Sequence, residues 1–180
     1  MTILKIDSSI TGVESVSRQL TTAVVDQLVA HNFDQRVIER DLVATPLSHL
    51  TLGGSGDADV LDEFLAAETV VIGAPMYNFT VPSQLKAWID RILVAGTTFR
   101  YGADGPEGLA GNKRVIVAVS RGGFYDDASA LEHVKTYLNG VLGFIGIKPE
   151  FVHADGIAVG PEQRDAGIAN GMAEVERLAA

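Results

Sequence analysis

Two periodicities alternate along the chain, and that alternation limits the possible folds more than any other feature. Short runs rich in branched apolar residues stand at Ile3–Ile6, Val37–Ile38, Val70–Ile72, Val115–Val119 and, most weakly, Phe151–Val152. Between them the spacing is helical. Val16, Leu20, Val24 and Leu28 recur every four residues, and Val60 to Ala67 makes a short second segment. Leu85, Trp88, Ile89, Ile92 and Leu93 follow the i, i+3, i+4, i+7, i+8 pattern of one buried face. Leu131, Val134, Leu138, Val141 and Leu142 form a fourth segment, and Ile168, Met172, Val175 and Ala179 a fifth. Five strands alternating with five helices describe an α/β protein with a parallel sheet covered on both faces. These apolar residues, Trp88 included, read as core.

Length and charge narrow the function. A chain of 180 residues is expected to form one domain, residues 1–180, and its 47% hydrophobic content can fill a core. With 21% charged residues and a mean hydropathy of +0.20, wholesale disorder is excluded. A net charge of −9 argues against nucleic acid or an anionic membrane as the main partner, since both attract basic surfaces. The absence of cysteine removes disulfide frameworks, thiolate metal sites, cysteine nucleophiles and iron–sulfur clusters together. No apolar segment approaches the roughly 20 residues that span a bilayer, and the N-terminus enters a strand-like run at once. The expected location is the cytoplasm. Asn78-Phe79-Thr80 matches a glycosylation sequon, which without a secretion signal reads as coincidence.

Familiar catalytic motifs are missing. There is no GxGxxG after a strand, no GxxxxGK[ST] and no GxSxG elbow, since Gly53-Gly54-Ser55-Gly56-Asp57 lacks the final glycine. That stretch reads as a flexible loop. His31, His49, His133 and His153 have no metal-ligand spacing and read as surface or loop residues. The informative segments follow three strands, where open α/β sheets bind ligands. After the first comes Asp7-Ser8-Ser9-Ile10-Thr11-Gly12-Val13-Glu14-Ser15-Val16-Ser17, with Ser15 or Ser17 suited to cap a helix. Hydroxyls, free amides and a positive helix end make a phosphate site without lysine, though a plain helix cap would look the same. After the third, Gly73-Ala74-Pro75-Met76-Tyr77-Asn78-Phe79-Thr80-Val81-Pro82 is rigid, apolar and aromatic, and Pro82 fits the first turn of a helix. After the fourth, Ser120-Arg121-Gly122-Gly123-Phe124-Tyr125 lets main-chain amides approach a ligand closely. Together these loops suggest a mononucleotide with a flat, polar-edged ring, as in flavin mononucleotide (FMN). Thr97 to Lys113 is a long glycine-rich excursion of a kind that is more often functional than accidental.

At these residues the sequence resembles the FMN-dependent NADH:quinone oxidoreductases, or azoreductases, of the flavodoxin-like superfamily. The strongest match is Ala74-Pro-Met-Tyr-Asn-Phe79, continuing through Gln84-Leu85-Lys86. Others are the Ser8-Ser9 and Ser15-x-Ser17 loop, Thr98-Phe99-Arg100-Tyr101, Gly105-Pro106-Glu107-Gly108-Leu109, Ser120-Arg121-Gly122-Gly123 and Gly143-Phe144-Ile145-Gly146. The resemblance implies a doubly wound sheet of order 2-1-3-4-5 and a homodimer with two FMN sites at its interface. It implies hydride transfer from NAD(P)H to FMN, then to a quinone or azo compound. Ser9, Ser15 and Ser17, with the Val16 amide, would hold the phosphate. Met76, Tyr77, Asn78 and Phe79 would line the isoalloxazine, with an amide of this loop near N5. Ser120, Arg121, Gly122 and Gly123 would face its pyrimidine edge, and Phe99, Phe124, Tyr125 and Phe144 would shape the substrate pocket, partly across the dimer. Val16 replaces an often polar residue, and the stretch after Pro46 is shorter than in many relatives. Two other readings stay open: a flavodoxin-like electron carrier serving a protein partner, and a binding module without cofactor. For the carrier, Glu14 stands where a flavodoxin phosphate loop expects a hydroxyl.

Overall fold

The computed structural model describes residues 1–31, 33–52, 58–126 and 129–178. The glycine-rich loop at 53–57, with Ser55, and Ala179 of the fifth helical segment lie outside the described residues. Strands β1 (Thr2–Asp7), β2 (Arg36–Asp41), β3 (Thr69–Pro75), β6 (Arg114–Ser120) and β7 (Glu150–Ala154) form a parallel sheet in the order β2-β1-β3-β6-β7. Counted along the chain within that sheet, the order is the expected 2-1-3-4-5. The three central strands β1, β3 and β6 bury side chains on both faces. Ile3, Val71, Ile116 and Val152 meet α1 (Val16–His31) and α5 (Pro161–Leu178). Leu4, Val70, Ile72 and Val117 meet α2 (Ala58–Ala66), α3 (Ser83–Ile92) and α4 (Val134–Phe144). Trp88 is fully buried at the centre of the second layer, edge-on to Phe64 at 5.9 Å.

Several boundaries differ from the sequence pattern for local reasons. β2 runs well beyond Val37–Ile38, because a half-exposed edge strand carries charges that interrupt its apolar run. α4 starts at Val134 rather than Leu131, which is 47% exposed. The Glu132 carboxylate accepts the Lys135 and Thr136 amides at 3.0 and 3.3 Å and so fixes the helix start after it. Pro82 precedes α3 as its N-cap, with φ −56° and ψ 146°, one place before the first turn. His153 lies half-buried on β7, 3.4 Å from Glu174, so it is not a loop residue.

The Thr97 to Lys113 excursion contains an antiparallel hairpin, β4 (Phe99–Gly102) and β5 (Gly105–Gly108). It left no alternating pattern because its side chains are mostly exposed. Its mount explains two of the glycine motifs at once. Gly108 lies against the main chain of Ile145 and Gly146, where no Cβ fits, and Gly146 turns with φ +89°. The Ala110 amide donates to the Ile145 carbonyl at 2.9 Å beside that contact.

Candidate functional site

The loops after β1, β3 and β6 converge at the carboxyl edge of the sheet, on a cleft of about 460 Å³. Ser9, Ser15 and Val16 line it from the first loop, Met76 and Tyr77 from the second, and Ser120, Arg121 and Gly122 from the third. Met76 and Tyr77 also wall a wider neighbouring hollow of about 850 Å³, which Asn78, Gln84, Lys86 and Tyr137 help to line. Burial pushes the Tyr137 phenol up to about 12, with Asp90 adding to the shift, so it stays protonated.

The first loop is held from three sides. Ser8 Oγ donates to the Gly73 carbonyl at 2.6 Å, which ties it to β3. Gly12, with φ +57°, turns the chain into a short 3-10 segment, Gly12–Glu14. Ser15 is the helix cap: its Oγ accepts the Arg18 amide at 3.2 Å and lies 3.1 Å from Ser17 Oγ. Ser17 therefore sits inside the first turn, fully buried behind Ser15. The amides of Val16 and Ser17 donate to nothing among the described residues, as expected of a helix start awaiting an acceptor. The Val16 side chain packs with Ile3 and Leu20, so what it offers the cleft is its main chain. Behind the loop, Arg18 makes a two-pronged pair with Asp41, both contacts at 2.8 Å, and donates to the Ser9 carbonyl at 3.0 Å. That arginine, with the Val43 and Ala44 amides, holds the Asp41 carboxyl down to about 2. Nearby Asp7 is raised instead, because burial outweighs Lys5, Thr21 and Arg18.

The second loop is built around a strained turn. Tyr77 and Thr80 exchange main-chain hydrogen bonds at 2.9 and 3.2 Å, while Asn78 and Phe79 both take positive φ, 48° and 72°. Asparagine tolerates this region, but phenylalanine does not prefer it. With Met76 donating to the Ser120 carbonyl, the free amides of the turn are those of Asn78 and Phe79. These two are the donors available for a ring nitrogen. The Tyr77 hydroxyl accepts the Ile10 amide and lies 3.1 Å from Ser9 Oγ, locking the second loop to the first.

The third loop works through its main chain. The Arg121 guanidinium is buried and paired with Asp155 at 2.6 and 2.7 Å, with Glu132 3.8 Å away. Its charge is neutralised within the protein rather than offered to a ligand. The Gly122 and Gly123 carbonyls accept from Ala158 and Gly156 at 2.9 and 3.0 Å, leaving their amides free. Neither glycine has a positive φ, so their value lies in close approach and not in an unusual dihedral.

The four expected pocket aromatics do not meet within one chain. Tyr125 stands edge-on to Phe79 at 6.5 Å, and Phe124, 67% exposed, lies against Gly156. Phe99 and Phe144 pack on each other at 4.7 Å beside the hairpin and line neither hollow. Sequence reasoning missed Thr11 and Glu14 as part of the lining, and with them Ile157, Ala158 and Arg164 beyond β7. The signal was positional. A fourth strand ends at the same sheet edge, but Phe151–Val152 was the faintest apolar run of the five.

Comparison with known proteins identifies the family. The flavodoxin-like fold family matches residues 1–179. An FMN-dependent NADH:quinone oxidoreductase 2 of Bradyrhizobium diazoefficiens is 54% identical over 201 aligned positions that cover both chains in full. The chain belongs to the family of FMN-dependent NADH:quinone oxidoreductases. An azoreductase from Bacillus anthracis superposes with a TM-score of 0.89 at 27% identity, covering 99% of this chain and 98% of its own. An FMN-dependent NADH-azoreductase of the same species, solved with FMN, shares the fold at a TM-score of 0.84 and 23% identity, with both chains fully covered. Among the described residues no helix is long and apolar enough to cross a membrane.

Proposed function

We propose that the protein is an FMN-dependent NADH:quinone oxidoreductase and azoreductase, acting in the cytoplasm as a single domain of residues 1–180 that pairs with a second copy. The observation that carries this reading is the convergence of three loops on one cleft, with main-chain amides at Val16 and Gly122 that no protein group accepts among the described residues. The donor set fits FMN: buried hydroxyls and helix-start amides suit a phosphate, and a rigid aromatic loop suits a flat ring. Bound FMN would supply two-electron chemistry, taking a hydride from NAD(P)H and giving one to a quinone or an azo bond.

The chain's own residues do the rest. Ser9, Ser15 and Ser17, with the Val16 amide, would hold the phosphate. Met76, Tyr77, Asn78 and Phe79 would line the ring, with the Asn78 or Phe79 amide as the donor toward N5. Ser120, Gly122 and Gly123 would face the pyrimidine edge, and Arg121 would join them through its main chain alone. Neutral donors there favour negative charge on the ring without a mobile proton. Phe124 and Tyr125 would shape the acceptor pocket of their own chain. Phe99 and Phe144 would reach one only in a second copy, which is the reason for a homodimer with flavin sites at the interface.

Donor and acceptor would share one ring face and so alternate. Steady-state rates at several fixed quinone concentrations should give parallel double-reciprocal lines against NADH. Intersecting lines would mean that both substrates bind together, and the shared-pocket reading would fall.

A further inference from the structure

We infer that Arg164, on the first turn of α5, is the cationic member of the phosphate site. The inference rests on the FMN reading above. The first loop offers only neutral donors, yet a flavin phosphate is a dianion near neutral pH. The chain is acidic, with net charge −9, and Glu14 adds a carboxylate to the cleft lining. A local cation would offset that field beyond what the helix start supplies. Three arginines lie near. Arg18 is taken by Asp41, with Asp7 3.7 Å away, and Arg121 by Asp155. Arg164 lines the same cleft as Ser9, Ser15 and Val16, is half-buried, and has no carboxylate partner among the described residues. Its Nη2 donates to the Glu14 carbonyl at 3.1 Å, so it spans from α5 to the end of the phosphate loop. A guanidinium has five donors in a planar fork, and this bond uses one nitrogen. The remaining face is free for phosphate oxygens.

The test compares flavins that differ only in the phosphate. Purified protein stripped of flavin is titrated with FMN and with riboflavin, following flavin fluorescence, for wild type, Arg164→Gln and Arg164→Lys. Wild type should bind FMN well above riboflavin. Arg164→Gln should weaken FMN by about 10- to 100-fold, as for the loss of a charged hydrogen bond, and leave riboflavin within about twofold. Arg164→Lys should recover part of the FMN affinity, because the charge returns without the fork. Equal losses for both flavins in Arg164→Gln would make the arginine a mere tether of the Glu14 turn and overturn the inference. So would unchanged FMN affinity. If wild type itself failed to prefer FMN over riboflavin, the phosphate-loop reading would fail instead, and that result is distinct from both.

Discussion

Phe79 holds a backbone conformation that suits glycine, and the strain has a measurable sign. Its φ of 72° places it in the left-handed region, where a β-carbon costs about 1–2 kcal/mol. At an ordinary position glycine is worse than alanine by about 0.5–1 kcal/mol, because the unfolded chain gains freedom. At position 79 the two effects oppose, and the left-handed term is the larger. Phe79→Gly should therefore be more stable than Phe79→Ala by about 0.5–1 kcal/mol, or about 1–4 °C for a chain of this size. Both variants lose the same ring contact with Tyr125, so that loss cancels in the comparison. Trp88, the single tryptophan and fully buried, reports unfolding by fluorescence in urea titrations of flavin-free protein. Both variants should also bind FMN more weakly than wild type, since the ring that would flank the flavin is gone. An alanine variant as stable as the glycine variant, or more so, refutes the argument.

Two further outcomes follow from contacts outside the cleft lining. Gly108→Ala should destabilise by at least about 1–3 kcal/mol, because its β-carbon would collide with the Ile145–Gly146 main chain. Hydrogen exchange should show β4 and β5 losing protection before the central strands, and uniform wild-type protection would contradict the mount. Asp41 has a folded-state pKa of about 2, below its unfolded value, so its pairing stabilises above about pH 4 and is lost as pH falls toward 2. With the side chain 38% exposed, solvent screening limits this to about 1 kcal/mol or less. Urea midpoints between pH 2 and 5 should fall less steeply in Asp41→Asn than in wild type.

The sheet and its helical layers were legible because short apolar runs alternate with helical spacing, and the strand order followed from the family resemblance. That Ser9, Ser15, Met76, Tyr77 and Gly122 line one cleft was legible because loops after parallel strands meet at the carboxyl edge of the sheet. The β4–β5 hairpin was not, since exposed strands leave no period, and the glycines that seat it only make sense once Gly108 and Gly146 are seen to touch. The fate of Arg121 was also hidden. A lone arginine in a glycine loop looks like a ligand group until Asp155, 34 residues away, is found to occupy it. Arg164 was missed for the converse reason: it comes to the cleft across 150 residues of separation from Glu14, a distance no local pattern records.

The two outer strands of the sheet bear on how copies of this chain can associate. β2 carries Arg36, Glu39, Arg40 and Asp41, with Arg40 paired to Glu63 and Asp59. At the opposite edge, Glu150 of β7 is paired with Arg114. A strand so loaded with charge as β2 is a poor template for another strand, and adding one would bury ions or break their pairs. Growth of the sheet across a molecular boundary is therefore disfavoured at the β2 edge. Any contact between copies is then favoured on the helical faces or the projecting hairpin, surfaces that recognise shape rather than hydrogen-bond along a backbone.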